Sequence, residues 1–222
     1  MAAAVHQRPA KTMPVAVRPM TADDLQQAVE VEKDAFPTMF PPTSFRRELK
    51  NSKAHYLVAY RTDKPAPTLS NERPRGLVSN LVRGLWRQTP VSRADQDYVV
   101  GFLGLWYMVG EAHIVSVGVR TDQLRQGIGE LLVIAAIDHA IARQAEVATL
   151  EVRPSNTAAR SLYKKYTLTD RGLRKAYYSD NHEDAIIMTS EPIQMAQFQQ
   201  QFQALKRAHE RRWGRADITV GL

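Results

Sequence analysis

The stretch VGVRTDQLRQGIGE, residues 117–130, runs from the end of an apolar β-rich segment into the start of a long apolar helix. Its glycines at 127 and 129 let the backbone pass close to a ligand, and the free N–H groups at a helix start favour a pyrophosphate. Arg125 can add a positive charge. Glycines also serve turns and close packing, so the stretch alone leaves phosphate binding and a purely structural role equally open.

Two other phosphate-binding loops do not fit this stretch. A dinucleotide-binding unit has its G-x-G-x-x-G after the first strand, whereas this loop follows the fourth predicted strand. A Walker A loop requires Gly-Lys followed by Ser or Thr, which is absent.

Strands and helices alternate on both sides of the loop. β-Rich apolar segments predict strands at 15–18, 55–60, 98–108, 112–119, 149–152, 172–178 and 185–189. Apolar periodicity predicts helices at 22–35, 43–49, 127–145 and 156–166. This order predicts a mixed α/β fold, in which the helix after the loop is buried against a sheet because it is apolar on most faces.

The chain is predicted to form one domain with appendages, since 222 residues suit a single core. We expect a disordered amino terminus over 1–13, a domain over 14–192, and an amphipathic helix with a tail over 193–222. A proline-rich connection over 62–97 is interpreted as an insertion, and its apolar positions predict a short basic amphipathic helix between Leu77 and Arg87. Each amphipathic helix either packs on the domain or meets an external surface.

Composition excludes several kinds of protein. The absence of cysteine excludes disulfides, thiolate metal sites and a cysteine nucleophile, and no cluster of other ligands leads us to expect a metal. No apolar run reaches the roughly 20 residues that span a bilayer, and no secretory signal is evident, so we expect a cytoplasmic protein. The net charge of +7 favours anionic partners, such as nucleic acid, ribosomes, anionic lipid or a polyphosphate cofactor, without selecting one.

Four ordered segments carry a resemblance to a known family: EAHIVSVGV at 111–119, RQGIG at 125–129, LEVRPSN at 150–156 with Leu162-Tyr163 beyond it, and Tyr177-Tyr178 followed by EDAIIM at 183–188. From residue 15 to 192 the chain resembles the GNAT N-acetyltransferases, and within them the bacterial ribosomal-protein alanine N-acetyltransferases of the RimI type. The resemblance implies the acyl-CoA N-acyltransferase fold, a strongly twisted mixed sheet flanked by helices. It also implies that the sheet is splayed, so that a cofactor enters between strands four and five.

The resemblance further implies acetyl-coenzyme A as cosubstrate. It makes Glu151 the general base and Tyr163 the general acid, and it brings Asn156 into contact with the cofactor. Backbone groups would hold the pantetheine arm at Val117, Gly118 and Val119, and the pyrophosphate at Arg125, Gln126, Gly127, Ile128, Gly129 and Glu130.

The two implied catalytic roles also make chemical sense. An α-amino group has a pKa of about 7.7 to 8.0, against about 10.4 for lysine, so the carboxylate of Glu151 can free a chain-terminal amine directly or through one water. N–H donors along the end of strand four can stabilise the oxyanion that forms when the amine attacks a thioester. The phenol of Tyr163 can protonate the departing thiolate.

Each of these residues has a structural explanation as well. Glu151 can pair with Arg153, which shares its strand face two residues on. Tyr163 lies on the apolar stripe of its helix and suits a core position. Asn156 suits an N-cap, and this role is compatible with a cofactor contact.

Two further features bear on the site. His113 and Glu111 on strand four are alternative bases, ranked below Glu151 because isolated histidines on strands are more often structural. The resemblance fails at Leu124, where the family usually has Gln or Arg, and this change weakens one cofactor-side contact. It also fails at Tyr166-Thr167-Leu168, which stands where the family usually has Leu-Gly-Phe.

We therefore expect an enzyme that transfers acetyl to a primary amine, with the amino terminus of a protein, such as a ribosomal protein, as the leading acceptor. A lysine, a polyamine or a small-molecule amine is the alternative acceptor. Outside the enzymes, the alternative is a catalytically inactive binding module that kept the fold. No specific nucleic-acid site is evident, the basic insertion suits a peripheral contact, and the sequence does not set the oligomeric state.

Overall fold

The computed structural model describes residues 11–38, 41–67 and 96–221. Within these ranges the strands are β1 (Val15–Pro19), β2 (Ala54–Pro65), β3 (Asp97–Met108), β4 (Glu111–Val119), β5 (Val147–Val152), β6 (Thr169–Arg174) and β7 (Ala185–Thr189). The helices are α1 (Leu25–Ala35), α2 (Phe45–Glu48), α3 (Ile128–Ala142), α4 (Thr157–Lys165) and α5 (Ala196–Trp213).

All of these strands belong to one sheet, in the order β1-β2-β3-β4-β5-β7-β6. β4 and β5 pair in parallel, and the other neighbouring pairs of the described sheet are antiparallel. The parallel pair is connected through α3, as a crossover between parallel strands requires. This architecture confirms the predicted mixed sheet with flanking helices.

β4 and β5 separate partway along their length. Their pairing ends at Ile114↔Leu150, whereas β4 continues to Val119. Val115, the next residue of β4, is a β-bulge without a partner in the β3 register. A bulge bends its strand and increases the local twist. Beyond Ile114, therefore, the edge of β4 that would face β5 has no pairing strand within the described ranges.

The sheet has a core on each face. Alternate residues of β2 enter different clusters, since Leu57 and Ala59 join the one that contains α3, and Tyr56 and Val58 join the one beneath α1 and α2. Such alternation follows from the pleat of a strand. α3 is buried along most of its length because nearly all its positions are apolar.

The carboxyl-terminal helix α5 packs back on the domain. Phe198 and Phe202 of this helix are buried in the larger core, and the ring of Phe202 lies 6.2 Å from that of Tyr166. Met195, which precedes the helix, is 60% exposed. Among the described residues, the helices fall short of the length and apolarity that crossing a membrane requires.

Several boundaries differ from the sequence-based expectation, and three of the differences have a clear structural cause. β2 extends to Pro65, where it pairs with Asp97, so residues 62–65 belong to the sheet and not to an insertion. Met13 is buried and its N–H donates to the carbonyl of Arg215, so the fold starts before residue 14. The strand expected over 172–178 ends at Arg174, because Ala176 has a φ of 49° and leaves the extended conformation.

Other expectations fall outside the described residues. They are the disordered stretch as far as residue 10 and the basic amphipathic helix between Leu77 and Arg87.

A buried histidine lies where α3 crosses the ends of β2 and β3. His139 is completely buried, and its Nδ1 lies within hydrogen-bond distance, 2.5 Å, of the hydroxyl oxygen of Tyr107. The ring of His55 lies 5.0 Å away. Burial lowers the pKa of His139 to about 4, and the positive charges of His55 and Arg143 act in the same direction.

We predict that this histidine makes the fold sensitive to acid. The unfolded chain takes up the proton near pH 6.5 and the folded chain only near pH 4, so the free energy of unfolding should fall as the pH drops through this window. Urea unfolding of the parent and of His139→Phe, measured from pH 8 to pH 4, should show a smaller loss in the variant. Above pH 6.5 the free energies of unfolding of the parent and of His139→Phe should change in parallel. Equal losses of this free energy below pH 6.5 would contradict the prediction.

Candidate active site

Glu151 lies on β5, one residue after the last pair between β4 and β5. Its side chain is 7% exposed, lies 2.9 Å from Nε2 of His113, and forms an ion pair with Nε of Arg174 at 2.9 Å. The alternative pairing with Arg153 is wrong, because the guanidinium of that residue binds the loop between β6 and β7 instead. Glu151 is therefore an almost buried carboxylate at the mouth of the gap in the sheet.

His113, ranked as a secondary base, supports this carboxylate. The parallel register sets His113 beside Thr149, whose hydroxyl lies 2.8 Å from Nδ1. The hydrogen bond from His113 lowers the pKa of Glu151 against the opposing effect of burial, and the charge of Arg174 lowers it further. Glu151 is consequently ionised at neutral pH.

Tyr163 lies on α4, the helix that follows β5. It is buried in the larger core, so its predicted core position is correct. Burial, with a contribution from the nearby hydroxyl of Tyr178, raises the pKa of Tyr163 to about 12. The phenol keeps its proton at neutral pH and can act only as a donor or a neutral acceptor there.

Tyr178 lies in the loop between β6 and β7. The guanidinium of Arg153 lies 3.7 Å from the centre of its ring, and burial raises the pKa of Tyr178 to about 12. The sequence signal was the adjacent tyrosine pair at 177 and 178, to which we assigned no role.

Arg174 had no sequence signal at all. Arg174 lies on β6, which is separated from β5 by β7 in the strand order, and its side chain reaches Glu151 across β7.

The glycine loop forms an open helix start. Gly127 has a φ of 81° and precedes α3, and its carbonyl accepts the N–H of Leu131 at 2.9 Å. The N–H groups of the three residues before Leu131 have no intrahelical acceptor, as at every helix start. A Cβ at Gly129 would have only one heavy atom of the described residues within 4 Å, a methyl of Val119 at 3.9 Å. The first turn of α3 is therefore accessible on that side.

The side chains near the loop are less available to a ligand than the backbone of the loop. The carboxylate of Glu130 accepts hydrogen bonds from the hydroxyl of Tyr166 at 2.8 Å and from Nζ of Lys165 at 2.5 Å, which ties α3 to α4. Asn156 caps α4, since its Oδ1 accepts the N–H of Ala159 at 3.1 Å, so the N-cap interpretation is confirmed. Leu124 points outward and is half exposed.

Comparisons with known proteins identify the family and the fold. The sequence model of the Acetyltransferase (GNAT) family matches residues 25–167. A Bacillus subtilis (strain 168) protein, provisionally named a ribosomal protein bS18-alanine N-acetyltransferase, is 30% identical over 174 residues, which are 78% of this chain and 93% of the relative. The ribosomal protein bS18-alanine N-acetyltransferase of Salmonella typhimurium is 36% identical over 45% of this chain and 68% of its own.

A crystal structure shares the fold as well. The ribosomal-protein-S18-alanine N-acetyltransferase from Escherichia coli superimposes with a TM-score of 0.57 at 24% identity, over 82% of this chain and 96% of that one.

The loop yields a prediction about its two glycines. Gly127→Ala should lower the free energy of unfolding by about 1 to 3 kcal/mol, because the left-handed φ is unfavourable for alanine. Its new Cβ would also lie 2.6 Å from the indole nitrogen of Trp213. Gly129→Ala is the matched control within α3, and it should leave that free energy unchanged or raise it by up to about 1 kcal/mol. Equal urea midpoints and slopes for the two variants would contradict the assignment of Gly127.

Proposed function

Because the chain belongs to the GNAT family of acetyltransferases, we propose that it transfers the acetyl group of acetyl-coenzyme A to the α-amino group at the amino terminus of a protein. The observation that carries the proposal is an ionised, nearly buried carboxylate, Glu151, at the point where β4 and β5 separate. A protonated, buried phenol, Tyr163, lies on α4, the helix that follows β5. The names of two relatives support ribosomal protein bS18 as the acceptor.

The residues present fit the coenzyme. The α3 start offers N–H groups that have no intrahelical acceptor and the positive end of a 15-residue helix, which favour a pyrophosphate at Arg125 to Glu130. The edge of β4 at Val117, Gly118 and Val119 pairs with no strand of the described part of the chain on the β5 side, and it supports an extended pantetheine arm through backbone hydrogen bonds. When bound, the coenzyme supplies a thioester carbonyl that an amine can attack.

Glu151 is proposed to accept the proton of the attacking amine. Since His113 and Arg174 lower its pKa, this carboxylate is a weak base, and it is better matched to an α-amino group than to a lysine. A bound ammonium would meet the same negative charge that Arg174 meets in the free protein. These points favour a protein terminus over the alternative acceptors.

Tyr163 is proposed to give its proton to the departing thiolate. Its pKa of about 12 keeps the proton available at neutral pH, and burial excludes competing water donors.

The open first turn of α3 speaks against an inactive binding module. Such a module would be expected to have its cofactor mouth filled by the insertion over 62–97, most of which lies outside the described residues, or by the carboxyl-terminal helix. Gly129 instead has free space on its Cβ side among the described residues.

We predict that Glu151→Gln and Tyr163→Phe each reduce turnover about a hundredfold to ten-thousandfold, because each removes a proton-transfer group. Release of the coenzyme A thiol would be followed with acetyl-coenzyme A and peptides that differ only in their first residue, among them the amino-terminal sequence of bS18. Tyr107→Phe is the control, because it also removes a tyrosine hydroxyl, here the one that contacts His139 of α3. Turnover that survives both substitutions, or that prefers internal lysines, would refute the proposal.

A second prediction concerns the pH dependence. His113→Phe removes the hydrogen bond that lowers the pKa of Glu151, so that pKa should rise and the acidic limb of kcat/KM should move to higher pH. Profiles for parent and variant would be measured from pH 5 to pH 9. Loss of activity at every pH would instead make His113 the base, and an unmoved limb would show that its contact does not tune Glu151.

A further inference from the structure

The carboxyl-terminal helix α5 contacts the glycine loop directly, although it lies beyond the residues that the family model matches. His209 is buried, and its Nε2 lies 3.0 Å from the carbonyl oxygen of Gly127. A carbonyl can only accept, so this ring nitrogen carries the proton. The carbonyl of Gly127 thus receives two donors, one from α5 and one from the first turn of α3.

Trp213, one turn further along α5, covers the same glycine. Three atoms of its indole lie within 2.7 Å of the point that a Cβ on Gly127 would occupy. The ring is half-buried and packs against the larger core. His209 and Trp213 together therefore contact both the carbonyl and the Cα side of the residue that precedes α3.

α5 is itself fixed by contacts away from the loop. Nζ of Lys206 lies 2.6 Å from the carboxylate of Asp138 in α3. After Gly214 the chain turns, and the N–H of Arg215 donates to the carbonyl of Lys11 at 2.8 Å. The helix is therefore braced against α3 along its length and against the amino-terminal segment at its end.

We propose that His209 and Trp213 are positioning residues that hold Gly127 in its left-handed conformation, so that the N–H groups after it stay aimed at the pyrophosphate of the cosubstrate. This inference rests on the proposed function and deepens it. Glycine loses more conformational freedom than any other residue when it becomes fixed. A loop fixed in advance binds its ligand more tightly, because less entropy is lost on binding.

The expected signature is a selective change in cofactor affinity. Fixing the backbone of one residue corresponds to a factor of about 5 to 30 in an equilibrium constant, so His209→Ala should raise Kd and KM for acetyl-coenzyme A by that factor. Since neither residue touches the reacting atoms, kcat and the KM of the acceptor peptide should stay within about twofold. His209→Gln, whose amide can donate to the same carbonyl, should restore most of the affinity.

The experiment uses the full chain and a matched control. Lys206→Met removes the ion pair between α5 and α3 without touching Gly127, so it tests a general loosening of the helix. Kd would be measured by titration calorimetry with coenzyme A and with acetyl-coenzyme A, beside the steady-state constants and the urea midpoint. The control should lower the midpoint and leave Kd near that of the parent.

The outcomes separate the inference from the function on which it rests. If the parent is active and the variants His209→Ala and Lys206→Met have equal Kd values, only the positioning role is overturned. A parent that binds coenzyme A with a His209-dependent Kd, yet never releases thiol, overturns the transferase and keeps the positioning role. If His209→Ala does not fold, Trp213→Phe, which removes part of the ring over Gly127, must raise Kd by itself, and an unchanged Kd again overturns the inference.

Discussion

The rest of the site depends on the early end of the pairing between β4 and β5. The bulge at Val115 follows Ile114, the last residue that pairs with β5, and it turns the remainder of β4 away. Among the described residues, the edge of β4 beyond Ile114 has no pairing strand, and Glu151 is the first residue of β5 past its pairing with β4, although it still pairs with Ile187 of β7. The carboxylate and the open edge therefore come from strands of the sheet, and the start of α3 follows β4 in the chain.

Much of this arrangement could be predicted from the sequence. The glycines at 127 and 129 followed by an apolar run predicted a buried helix with an open start, and the boundaries of β7 were predicted to the residue. The strand over 172–178 was overextended because its tyrosines favour a strand, whereas the N–H of Ala176 is captured by the carboxylate of Asp184. Such a short-range hydrogen bond outweighs the intrinsic preference for a strand, and it produces no periodic pattern in the sequence from which it could be predicted.

The partners of Glu151 could not be predicted in the same way. Arg153 shares its strand face and was a reasonable partner on spacing alone. His113 becomes the neighbour only through the parallel register, and Arg174 only through the strand order, and neither is a local property of the sequence. The charge balance that sets the basicity of the carboxylate is therefore a property of topology.

The tail beyond α5 also changes what the sheet can join. The N–H of Val17 donates to the carbonyl of Asp217, and the carbonyl of Val17 accepts the N–H of Thr219. The tail therefore occupies the outer edge of β1. At the other end, β6 is exposed, but it is broken by a register shift and carries Asp170, Arg171 and Arg174. A strand from a second molecule would have to displace the tail at one end or bury these charges at the other. Both ends of the sheet are therefore protected from pairing edge to edge with another molecule. The tail already covers the edge of β1, and pairing at β6 would bury charged side chains.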